Sequence, residues 1–91
     1  MPRRATEIGP AGERTAHAIE HLRTSRGFAQ RELAARVTEL GHPMTNTMLS
    51  RIECTRRRCD VDDLVAIAAA LGVSPLALLQ PAMQGSGVGV R

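Results

Sequence analysis

Glycine and proline interrupt this sequence so regularly that no single element can be long, and between the interruptions apolar residues recur at helical spacing. Gly27, Gly41 followed by Pro43, and Gly72 followed by Pro75 set the divisions. A glycine just past a helix accepts left-handed backbone that a Cβ would obstruct, and a proline cannot continue a helix already running. The pattern therefore predicts short helices over about 13–26, 30–40, 46–53 and 61–71, with a fifth running from Ser74-Pro75 to about Leu79. Their inward stripes are Ile19 and Leu22, then Leu33, Ala34, Val37 and Leu40 at i, i+1, i+4 and i+7, then Leu49 and Ile52, then Leu64, Ile67, Ala68 and Leu71. Thr45 and Asp60 are suited to cap the third and fourth helices. Asp62 and Asp63 suit the positive end of the fourth, and Pro75 takes the favoured first position of the fifth.

With one aromatic, Phe28, and no Trp or Tyr in 91 residues, the core must be aliphatic. Phe28 is expected to plug between the first two helices. Alanine- and leucine-rich stretches with few β-branched runs favour helix over sheet, so the fold class is all-α. The expected organisation is a flexible basic arm over 1–12, one helical domain over 13–80 and a Gly-rich flexible tail over 81–91. Arg3 and Arg4 read as an idle tail rather than a minor-groove arm. No apolar run approaches the roughly 20 residues needed to span a bilayer. Polar residues rather than an apolar stretch follow Met1-Pro2-Arg3-Arg4, so no secretory signal is expected, no membrane partner either, and the location read from the sequence is the cytoplasm.

Chemistry-bearing clusters are sparse. There is no glycine-rich phosphate loop, no nucleophile–base order and no paired carboxylates of the kind a hydrolase needs, so the chain reads as a non-enzyme. His17 and His21 stand at i, i+4 without a third ligand and read as exposed histidines. Cys54 and Cys59 are too few to hold zinc tetrahedrally, and cytosolic thiols are normally reduced. No cofactor or metal is expected.

Charge is more informative. All twelve basic residues are arginine, whose planar fork grips phosphates and guanine edges at two points. Eleven arginines against six glutamates precede Asp60, whereas one arginine against three aspartates follows from there on. One part of the chain thus suits a polyanion and the other does not. Within the basic part, the third helix is short and polar on its outer side, with Leu49 and Ile52 to anchor it. A helix that enters the major groove has this design: Asn pairs with adenine, Arg with guanine, and a Thr methyl meets the thymine methyl.

Three strings taken in order make the pattern specific: Gln30-Arg31-Glu32-Leu33-Ala34, then Leu49-Ser50-Arg51-Ile52-Glu53, then Leu64-Val65-Ala66-Ile67-Ala68-Ala69-Ala70-Leu71-Gly72-Val73-Ser74. Together they resemble the phage-repressor family of Cro and lambda-repressor-like (XRE-type) helix-turn-helix domains over about residues 13–80. The resemblance implies a five-helix fold that binds double-stranded DNA, a transcriptional regulator acting as a repressor. One such domain touches only a few base pairs, so a homodimer is expected, with Leu76, Leu78, Leu79 and Met83 as the candidate dimer surface. It implies base reading by Asn46, Thr47 and Arg51, and phosphate or secondary contacts from Thr45 and Ser50. Gln30 would touch a phosphate and brace the third helix, Arg56, Arg57 and Arg58 would touch the backbone, and Arg23 with Glu53 would form a structural ion pair. Other uses of the same fold are the antitoxin of a toxin–antitoxin pair, with a toxin or other regulator as protein partner, and a protein-interaction adaptor; a regulator that has lost a ligand-binding domain after Pro81 is a further one.

The sequence departs from the family pattern in three places. Ala29 stands where a capping Ser, Thr or Asn is usual, which forfeits about 1 kcal/mol. Thr55 stands where a glycine normally follows the third helix. The link Leu40-Gly41-His42-Pro43-Met44 is longer than the family's tight turn.

Overall fold

The computed structural model describes residues 8–79, which are all-helical with no strand among them. In chain order the helices are α1 (Pro10–Ser25), α2 (Gln30–Glu39), α3 (Asn46–Glu53), α4 (Val61–Leu71) and α5 (Pro75–Leu79). α1 starts inside the segment expected to be an arm, because Gly9 is extended and Pro10 supplies a first helical residue that has no amide to satisfy. Arg3, Arg4, Met83 and the expected tail over 81–91 lie outside the described residues.

One aliphatic core joins all five helices. Ile19 of α1, Leu33 and Val37 of α2, Leu49 and Ile52 of α3, Ile67 of α4 and Leu78 of α5 are fully buried in it. α1 packs on α5, α3 and α4, while α2 packs on α3 and α4. Phe28 is half-buried rather than central, resting against the core. The Arg36 guanidinium covers its ring at 4.7 Å and donates through Nε to the Ala70 carbonyl at 3.2 Å, which ties α2 to α4.

Two apolar expectations are corrected. Leu40 is 59% exposed; α2 ends at Glu39 and Leu40 is its C-cap, so the chain leaves the helix before the stripe reaches it. Leu78 is core, not surface, and of the α5 leucines only Leu76 and Leu79 are exposed.

The first four helices stop in the same way. After α1, Gly27 and Phe28 donate their amides back to Thr24 and Arg23, the paired bonds of a Schellman stop. Gly41 with His42, and Gly72 with Val73, repeat this after α2 and α4, each glycine in the left-handed region. After α3 the same bonds run from Thr55 to Ile52 and from Arg56 to Arg51, at 3.1 and 2.8 Å, but the left-handed residue is Thr55 at φ 59°. A Cβ there costs about 1–2 kcal/mol, part of which glycine would return as backbone entropy. Thr55→Gly is therefore expected to stabilise the domain by about 0.5–1 kcal/mol. Thermal unfolding followed by circular dichroism should show a midpoint a few degrees higher; a lower one would mean that the threonine side chain itself holds the loop.

Candidate nucleic-acid interface

α2 and α3 form a helix–turn–helix pair, and their long link is a fixed structure rather than slack. Thr38 Oγ1 donates to the Met44 carbonyl and accepts from the Met44 amide, both at 3.0 Å, and the Met44 side chain is buried. His42, midway along the link, places Nε2 2.7 Å from Asp63 Oδ1 on α4. The extra residues are thus stitched to α2 at one point and to α4 at another. Thr45 then starts α3, its side chain accepting from the Met48 amide at 3.0 Å.

α3 is only eight residues long, and such a helix is stable through packing rather than propensity. Leu49 and Ile52 supply that packing, with Met48 half-buried beside them. Most of the other positions face away. Thr45, Asn46, Thr47 and Arg51 are exposed and Ser50 is half-buried, so the side chains expected to read bases lie on a surface open to solvent.

The rotation of α3 is fixed at its end by Glu53. Its carboxylate, 3% exposed, accepts from Arg23 Nε at 2.7 Å and Arg23 Nη2 at 3.0 Å. Gln30 Nε2 donates to the same group at 2.9 Å. Arg23 also donates to the Phe28 carbonyl at 2.8 Å. The hydrogen bond to Glu53 is the main reason the Arg23 guanidinium is held above its ordinary pKa, against an opposing desolvation. One carboxylate therefore joins α1, the start of α2 and the end of α3. Gln30 braces α3 here through its carboxamide. At the cap of α2, Ala29 has no acceptor to offer its first turn; what remains of a capping box is Glu32 Oε1 accepting from the Ala29 amide at 2.8 Å.

The loop after α3 carries Arg56 and Arg58, both exposed, and Arg57, which is half-buried. Arg57 Nη2 lies 3.5 Å from Asp63 Oδ2. Asp63 is 2% exposed and also closes a reciprocal capping box with Asp60. In the sequence Asp63 stands as a charge at the start of α4, and the Asp60-x-x-Asp63 spacing is the signal for the box, whereas its link to His42 and Arg57 has no local signature.

Cys54 and Cys59 flank this loop as free thiols. Burial, then the charges of Asp63 and Asp60, push the Cys59 thiol up to about 12, which makes it a poor nucleophile near neutral pH. His17 and His21 are exposed on α1, and the described residues contain no group of three or more metal-ligating side chains. No described helix is long and apolar enough to cross a membrane.

No family model matches the chain, and no curated protein matches it. Solved structures do. The hypothetical transcription factor NHTF from Neisseria superposes with a TM-score of 0.70 at 25% identity, over 89% of this chain and 85% of that one. The restriction-modification controller protein C.AhdI from Aeromonas hydrophila superposes with a TM-score of 0.66 at 21% identity, over 74% of this chain and 94% of that one. The all-helical fold of this protein is shared with both.

Proposed function

We propose that this protein is a sequence-specific regulator that binds double-stranded DNA in the cytoplasm, of the phage-repressor type its motifs resemble, and that it acts as a repressor by laying α3 in the major groove. The observation that carries this reading is the division of α3. Leu49 and Ile52 are buried, whereas Asn46, Thr47 and Arg51 stand exposed on a helix fixed by Thr45 at its start and Glu53 at its end. The relationship to a transcription factor and a controller protein in fold supports it.

In this reading Arg51 takes guanine, Asn46 adenine, and Thr47 a thymine methyl. Thr45 and Ser50, the first amides of α2 at Gln30, and the exposed Arg56 and Arg58 take phosphates, which position the domain without reading sequence. One such domain spans few base pairs, so the protein binds as a homodimer through Leu76 and Leu79, with half-sites about 34 Å apart.

The test is selection of bound duplexes from a random library by the purified protein, followed by Arg51→Ala. The selected pool should converge on a two-fold symmetric sequence. The variant should then lose about 1–3 kcal/mol on that duplex and relax preference at one base pair, with affinity for random duplex nearly unchanged. A pool that never departs from its input would overturn the reading.

A further inference from the structure

The two segments that flank α3 in sequence are both tied to one buried carboxylate. His42, three residues before the Thr45 cap, meets Asp63 Oδ1 at 2.7 Å. Arg57, four residues after Glu53, approaches Oδ2 at 3.5 Å. The same Oδ2 accepts the Asp60 amide at 3.2 Å, and the Asp63 amide donates to Asp60 Oδ1 at 2.7 Å, so the carboxylate is itself fixed at the first turn of α4. Arg57 is engaged with the protein on one side: its Nε is buried without a hydrogen-bond partner and its Nη2 faces Asp63, while its side chain as a whole is 37% exposed. An arginine so engaged is less available to a phosphate than the exposed Arg56.

We infer that Asp63 is a positioning residue of the DNA interface: through His42 ahead of α3 and Arg57 behind it, this carboxylate sets how α3 is presented to the groove. Arg57 belongs to that assembly and is not one of the phosphate contacts. The proposal rests on the DNA-binding reading above. The physical basis is that a helix of eight residues cannot fix its own pose, and a displacement of about 1 Å is enough to spoil two-point hydrogen bonding to a base edge. Glu53 fixes the helix about its axis; the Asp63 group fixes the two chain segments from which it is suspended.

The experiment measures dissociation constants of the full chain for the library-selected duplex and for a random-sequence duplex of equal length, at several salt concentrations. Arg57→Gln should lower the preference for the selected duplex several-fold while leaving the salt slope on random duplex unchanged. A slope reduced by about 0.9, the value for one lost phosphate contact, would overturn the proposal. Asp63→Asn should lower the preference about tenfold or more. It should also steepen the slope on random duplex, because the released Arg57 then reaches the backbone; adding Arg57→Gln to it should return the slope to the wild-type value. A purely structural role would instead lower both affinities together and leave the slope alone. Should Asp63→Asn fail to fold, Arg57→Gln alone decides. If the wild type shows no preference for the selected duplex, the DNA reading fails and the proposal with it; if the wild type discriminates and Arg57→Gln discriminates equally, only the positioning role fails.

Discussion

Glu53→Ala should destabilise the domain by about 3–5 kcal/mol, the range for removing one member of a buried ion pair. The carboxylate is 3% and the Arg23 side chain 11% exposed. Removing it leaves the guanidinium desolvated with the Phe28 carbonyl as its remaining acceptor among the bonds described above, and takes the partner from the Gln30 carboxamide. A domain of this size has a stability near the low end of the roughly 5–15 kcal/mol usual for folded proteins, so much of the variant would be unfolded at 37 °C. With no Trp or Tyr in the chain, urea unfolding has to be followed by far-ultraviolet circular dichroism. The companion variant separates charge from shape. Arg23→Met combined with Glu53→Leu should recover most of the loss, since an apolar pair of similar volume avoids the desolvation of two charges. A loss below about 1 kcal/mol for Glu53→Ala would mean that the pair acts like an exposed salt bridge.

The helices themselves were legible because local chemistry decides them. Gly27, Gly41 and Gly72 mark left-handed stops, Thr45 and Asp60 are caps, and the apolar periodicity between them has one solution. Local pattern fails where geometry outside the pattern takes over. Leu40 fits the stripe of α2 by spacing, but the stop built on Gly41 makes it the residue at which the chain turns away. In α5, five residues long, spacing does not say whether Leu76, Leu78 or Leu79 faces inward; the packing of α1 and α4 against that helix selects Leu78.

The candidate site divides along the same line. That Leu49 and Ile52 point in while Asn46, Thr47 and Arg51 point out follows from the 3.6-residue period and was readable directly. The bonds that orient α3 were not. Arg23 and Glu53 are 30 positions apart and His42 and Asp63 are 21 apart, so no local spacing rule connects them. The first pair was available only through resemblance to a family. The second involves His42 in the link between α2 and α3, where resemblance had nothing to offer.

Leu49→Ala tests the other half of the proposed interface, its anchor. Leu49 is fully buried in the core shared by the five helices, and truncating such a leucine costs about 2–5 kcal/mol, through lost transfer energy and the cavity left behind. The cost should fall toward the upper part of that range. α3 has only Leu49 and Ile52 fully buried, so its side of the cavity cannot collapse without moving the helix, and the capped, doubly tethered segments at its ends oppose such movement. The consequence for binding differs from that of Arg51→Ala. Arg51 is exposed and its loss should leave the unfolding free energy within about 0.5 kcal/mol of the wild type, while preference at one base pair relaxes. Leu49→Ala should lower the urea midpoint sharply, and at temperatures where it remains folded its remaining discrimination should fall at every base pair together, because the whole reading face shifts with its anchor. If Leu49→Ala is as stable as the wild type, α3 is held by something other than its buried leucine and isoleucine. If it is unstable but its folded fraction discriminates fully, the tethers at Thr45, Glu53 and Asp63 suffice to hold the helix, and the core contact contributes stability without contributing pose.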